Sequence, residues 1–158
     1  CGGRSYALLK SFFEKTLDCF GVTADNIYSV MDKMAVEDID NCSLSVDTRF
    51  CGTRRDPDIK GAVLQITEDN FTPQQLTRGF LIGMCRELYS FYEQMEKLTG
   101  KKRTHLVESG NGVRKNKILQ YYLEETFKMP LEIPANTEEA AFGATAFVSR
   151  NLKNKITG

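Results

Sequence analysis

The sequence predicts an α/β fold of mixed strand and helix, and three observations carry that expectation. Apolar residues recur at spacings of three and four through several long stretches, the mark of amphipathic helices. Short apolar or alternating runs, too brief for helices, fall between them. One such run leads into Gly110-Asn111-Gly112 and then into another helical stretch, so strand, tight turn and helix follow without a linker.

The first helix is expected over 5–19, where Leu8, Leu9, Phe12, Phe13 and Leu17 hold helical spacing and Gly21 supplies the stop. A second covers 25–34, with Ile27, Met31 and Met34 on one side and the methionines serving as core. Residues 42–50 alternate, so Leu44, Val46 and Thr48 point one way, as in a half-buried strand. Glycine, proline and clustered charge make 51–58 a loop, and 61–66 is a second short strand with Val63 and Leu64 as candidate core.

The strongest local signal is Thr72-Pro73-Gln74-Gln75. Thr72 can cap the free N–H groups, Pro73 takes the first helical position, and Gln75 completes a capping box. Leu76, Phe80, Met84, Leu88, Phe91, Met95 and Leu98 then repeat up to Gly100, which predicts a long central packing helix. Gly83 inside it predicts a close neighbour, since glycine is a poor helix former. Residues 104–107 form a strand. A helix over 115–127 carries an Ile118, Leu119, Tyr122, Leu123 and Phe127 stripe, and Pro130 ends it. Leu131-Glu132-Ile133 is a last short strand before Pro134. Thr137 caps a final helix over 138–152, whose Ala140, Ala141, Gly143, Ala144 and Ala146 leave a surface suited to close backbone packing.

Lys plus Arg and Asp plus Glu each number 21, so the chain lacks the basic excess of a nonspecific nucleic-acid binder. Lys101-Lys102-Arg103 follows Gly100 and reads as cations at a helix C-terminus. The five cysteines form no C-x-x-C pair, and His105 is the single histidine, which argues against a redox motif or a His-based zinc site. No apolar stretch approaches the ~20 residues that span a membrane. Reduced thiols and the absence of a signal-peptide pattern predict a cytoplasmic protein. The length fits one domain over 1–158, and a start at Cys1-Gly2-Gly3 without methionine suggests a piece of something longer.

The site signal is the turn. Two glycines around Asn111 let the chain bend sharply and let a ligand approach the backbone. A helix behind it offers free N–H groups and a positive dipole end, which suits a nucleotide at its phosphate or at its sugar and base edge. By itself such a sequence is more often a plain tight turn. It is neither a P-loop, for want of the spacing and the Lys-Ser/Thr pair, nor G-x-G-x-x-G, because Lys115 takes the third glycine's place. No general base stands out among Asp47, Asp56, Asp58, Glu108, Glu138 and Glu139, and His105 reads as structural.

The run Glu108-Ser109-Gly110-Asn111-Gly112-Val113-Arg114-Lys115-Asn116-Lys117-Ile118-Leu119-Gln120 resembles the adenine-nucleotide motif of the FGGY carbohydrate kinases. Glu138-Glu139-Ala140-Ala141-Phe142-Gly143-Ala144-Thr145-Ala146 resembles the family's terminal Glu-x-x-x-x-Gly-Ala-x-x-Ala helix. Upstream, Gly2-Gly3 before a helix and Phe50-Cys51-Gly52-Thr53-Arg54 are similar to its Gly-Gly and Phe-x-Gly-x-Arg features, so the resemblance covers nearly the whole chain. It departs at Asn111, where the family often has glycine; asparagine tolerates left-handed backbone.

The resemblance implies an actin-like ATPase (ribonuclease H-like) second domain of a two-domain sugar kinase. ATP and Mg2+ are then the expected cofactors. Gly110, Asn111 and Gly112 are expected to contact adenine or ribose through backbone atoms, with Lys115 and Asn116 close by. A small sugar, in first place a seven-carbon ketose, would be bound mainly by a preceding N-terminal domain, which would also hold the catalytic aspartate. No catalytic residue or metal ligand is expected in this chain, and a monomer or weak dimer is. Xylulose, ribulose or glycerol as substrate, or an inert binding module that kept the fold, are the alternatives.

Overall fold

In the computed structural model, residues 2–108 and 110–134 are described. The long helix α3, Pro73–Thr99, is the element around which the others are arranged. Its start is built as the sequence predicts. Thr72 Oγ1 accepts from the Gln75 N–H at 3.2 Å, and Pro73 sits in the first turn, where its missing N–H costs nothing. The capping box is only half made. Gln75 turns its side chain away from Thr72, accepts from the Ser43 N–H at 3.1 Å and donates to the Asn41 carbonyl at 3.2 Å. Those two bonds tie residues 41 and 43 to the start of the helix. At the other end Gly100, with φ 64°, caps the helix through its N–H to the Glu96 carbonyl.

Before α3 come helix α1 (Gly2–Cys19), helix α2 (Ile27–Val36), and strands β1 (Ser45–Asp47) and β2 (Ala62–Leu64). The first helix begins three residues earlier than expected, and the second runs two residues later at each end. β1 and β2 pair antiparallel, Val46 opposite Val63. Leu44, Val46 and Thr48 are all buried, as their alternation predicts, although only the middle of 42–50 is strand. Asp47 ends it by accepting from the Arg49 backbone N–H at 3.1 Å and pairing with the Arg49 guanidinium. Leu64 is not core: it lies on the outer face of the hairpin, 53 % exposed.

After α3 follow strand β3 (Leu106–Val107), the one-turn helix α4 (Asn111–Lys115), helix α5 (Lys117–Phe127) and strand β4 (Leu131–Glu132). β3 and β4 pair in parallel, Leu106 opposite Leu131, which is the crossover pairing of a strand–helix–strand unit. The helix expected over 115–127 is α5, which starts two residues later, and the residues before it, expected as a turn, form the separate one-turn helix α4.

Helix α3 packs against α1, α2, α5 and β1. One core joins Leu81, Met84 and Cys85 of α3 to Ala35 of α2 and to Ile118, Tyr122, Leu123 and Phe127 of α5. A second joins Leu76 and Phe80 to Leu9, Ile27, Met31, Leu44 and Val46. Gly83 is where α3 meets β1: a Cβ there would stand 2.3 Å from the Val46 carbonyl oxygen. The apolar pattern outruns the packing, however. Leu88, Phe91, Met95 and Leu98 are all exposed, so the last part of α3 is not the central packing element that its sequence predicts. The final helix expected over 138–152 lies outside the described residues. Cys19, Cys42, Cys51 and Cys85 are free thiols, and burial pushes Cys85 up to about 12. Among the described residues no helix is long and apolar enough to cross a membrane.

Candidate functional site

The Gly110–Gly112 turn opens on a pocket of about 630 Å³. Gly110 has φ 122° and ψ 149°, a conformation that a side chain resists, and it leads directly from β3 into α4. A Cβ on Gly112 would meet nothing within 4 Å, so the space beside this backbone is open to a ligand.

The helix behind the turn is a single turn long, which changes the expected electrostatics. The dipole of a three-turn helix does not point at Gly110, because α5 starts afresh at Asn116. Asn116 is the buried cap of that second helix: its Oδ1 accepts from the Leu119 N–H at 2.8 Å. The C-terminal end of α4 is tied off by Gln120, whose amide donates to the Val113 carbonyl at 2.7 Å and the Arg114 carbonyl at 3.2 Å. Arg114 reaches out to the Pro134 carbonyl at 2.6 Å, anchoring the turn to the chain after β4.

With its Oδ1 committed to Leu119, Asn116 presents its Nδ2 outward, where it donates to Asp32 Oδ1 at 2.9 Å. The Tyr6 hydroxyl donates to the same oxygen at 3.1 Å. Tyr6 also stacks on Tyr28, centroids 5.8 Å apart and planes inclined by 18°. Burial is the main cause that raises the pKa of Asp32, and the bonds from Tyr6 and Asn116 oppose it. Burial, with Asp32 beside it, raises Tyr6 as well.

Gly110, Gly112, Lys115 and Asn116 therefore line one pocket. Asn111 belongs to α4 between them. Lys115 is exposed, and Asn116 is a fixed, buried amide. Sequence reasoning missed the facing wall: Gly3, Tyr6, Tyr28, Asp32, Met84 and Leu88. Tyr6 and Asp32 carry no motif, and Asp32 meets Asn116 across 84 positions of sequence. Gly3 was the one signal available, as part of the Gly2-Gly3 pair. Among the described residues His105 bonds to its neighbour Thr104, Nδ1 to hydroxyl at 2.9 Å. Among the described residues no group of three His, Cys, Asp or Glu side chains is placed to hold a metal ion.

Residues 23–151 match the C-terminal domain of the FGGY family of carbohydrate kinases. A sedoheptulokinase of Mus musculus is 25 % identical over 135 residues, which are 85 % of this chain and 28 % of that protein. In the crystal structure of xylulose kinase from Rhodospirillum rubrum, the superposition has TM-score 0.65 at 16 % identity, over 85 % of this chain and 26 % of that one. For glycerol kinase of Plasmodium falciparum with ADP, the TM-score is 0.64 at 16 % identity, over 85 % and 27 %. The chain thus spans about a quarter of the length of these relatives. At such identities the two structures speak for the fold alone.

Proposed function

We propose, since this chain belongs to the FGGY family of carbohydrate kinases through their C-terminal domain, that it forms the nucleotide-binding wall of an ATP-dependent sugar kinase. The observation that carries this reading is the pocket, where the family-like turn, a fixed amide and an apolar wall meet.

A purine nucleoside needs flat apolar surfaces for its faces and polar groups at its edges. Tyr6, Tyr28, Val113, Leu119 and Leu123 supply the first, and Asp32 and Asn116 the second. Gly110, Asn111 and Gly112 would touch adenine or ribose through their backbone. Lys115, exposed at the pocket, would face the more polar end of the nucleotide. Bound ATP would supply the phosphoryl group. The described residues do not fit a protein-held Mg2+, for want of a carboxylate cluster.

For the protein that carries this chain, the reaction we infer is transfer of the γ-phosphoryl group to a primary hydroxyl of a small sugar. Sedoheptulose, giving sedoheptulose 7-phosphate, is the first choice, supported by the resemblance to the mouse relative. A xylulose or glycerol substrate is the second, supported by the structural neighbours. The sugar and the catalytic base would be held mainly by an N-terminal domain, in a cytoplasmic monomer or weak dimer. This chain alone would bind nucleotide without turnover, because positioning of both reactants is most of phosphoryl-transfer catalysis.

Titration with Mg-ADP tests the site. Amide NMR shifts should concentrate at Gly110, Gly112 and Asn116. Gly112→Val should stay folded, because the added side chain projects into open space, and should bind ADP about tenfold more weakly, a loss near 1.4 kcal/mol. Unchanged affinity in a folded Gly112→Val protein would remove the turn from the nucleotide site.

A further inference from the structure

Asp32 lines the pocket from α2, and it is held unusually fully on one side only. Its Oδ1 takes two donors, the Tyr6 hydroxyl at 3.1 Å and the Asn116 amide at 2.9 Å. The orientation of that amide is not free, since Asn116 Oδ1 accepts from Leu119 N–H. The two donors, one from α1 and one from the cap of α5, pin Oδ1 in place. The second oxygen, Oδ2, receives no hydrogen bond from the described residues, and Asp32 forms no ion pair among them. An ionised carboxylate oxygen has lone pairs for about two donors, so an acceptor is left for whatever enters the pocket.

The charge of the surroundings says which end of a nucleotide that is. The other carboxylate and amine side chains of the pocket are those of Glu108 and Lys115. Asp32 repels phosphate, so the uncharged nucleoside end belongs beside it. We propose that Asp32 is a specificity-determining residue for the nucleoside: its Oδ2 accepts a hydrogen bond from a nucleoside donor, either the exocyclic amine of adenine or the ribose 2′-hydroxyl. This rests on the nucleotide reading of the pocket and adds to it the residue that discriminates.

The test is a set of affinities of the full-length protein for Mg-ADP, Mg-IDP and Mg-2′-deoxy-ADP, in wild type and in Asp32→Asn. IDP replaces the amine by a carbonyl, and the deoxy compound removes a ribose hydroxyl. The wild type should prefer ADP over one of the two by about tenfold or more, the size of one hydrogen bond to a charged group. In Asp32→Asn the new side-chain oxygen can keep the bonds from Tyr6 and Asn116, which puts an NH₂ donor where Oδ2 stood. If the amine is the donor, the ADP-to-IDP ratio should collapse or invert; if the ribose is, the ADP-to-deoxy-ADP ratio should fall. Wild-type ratios near one for both analogues would overturn the assignment while leaving the nucleotide site intact, and they decide whether or not the variant folds. A ratio unchanged in a folded Asp32→Asn protein would overturn it equally. Failure of the wild type to bind any of the three would refute the nucleotide reading itself and this assignment with it.

Discussion

At Gly83 an added Cβ would come within 2.3 Å of the Val46 carbonyl oxygen and 3.1 Å of Thr48 Cγ2. The clash is with backbone, which cannot swing aside. Gly83→Ala is therefore expected to destabilise the domain by about 1–3 kcal/mol, although alanine is the better helix former. Thermal unfolding checks this, and an unchanged or raised Tm would contradict the close contact between α3 and β1. That need was legible in the sequence, because a glycine in the middle of a strong helix has to be explained by a neighbour. Asn116 was legible only in part. Its place in the family-like motif marked it, but nothing in Arg114-Lys115-Asn116-Lys117 marked it as a cap. A helix expected from residue 115 puts Asn116 in its first turn rather than at its cap. The structure instead spends its Oδ1 on a new N-terminus and its Nδ2 on Asp32.

Among the elements, α3 shows most clearly what local pattern decides and what it leaves to tertiary structure. Its start is set by Thr72 and Pro73 alone. Thr72→Ala should cost about 1 kcal/mol, the worth of a lost N-cap, with the Gln75 bonds to residues 41–43 preserved. Chemical denaturation of the variant measures it, and a loss of several kcal/mol would mean that Thr72 does more than cap. The middle of α3 carries both cores. Its last turns repeat the same apolar spacing, yet Leu88, Phe91, Met95 and Leu98 are exposed. Periodicity reports which face a helix offers. It does not report whether another element arrives to cover it. The strands follow the same logic at smaller scale: alternation placed Leu44, Val46 and Thr48 inside, but pairing with β2 limits the ladder to Ser45–Asp47.

The whole molecule has the fold of the C-terminal domain of FGGY sugar kinases, the actin-like α/β architecture that the motifs imply. One wall of the pocket could be read along the chain, as Gly110-Asn111-Gly112 followed by Lys115 and Asn116. The other could not, because Tyr6, Tyr28 and Asp32 reach it from helices separated from the turn by about half of the sequence or more. They are ordinary amphipathic-helix residues until folding puts them beside Asn116. This pocket is proposed to serve sugar phosphorylation. The most direct measurement is ADP release from Mg-ATP by the full-length protein, with and without sedoheptulose, D-xylulose or glycerol. Negligible release is expected without sugar, and rapid release with one of the three, sedoheptulose first. Sugar-independent release, or nucleotide binding with no stimulation by any of them, would contradict this role.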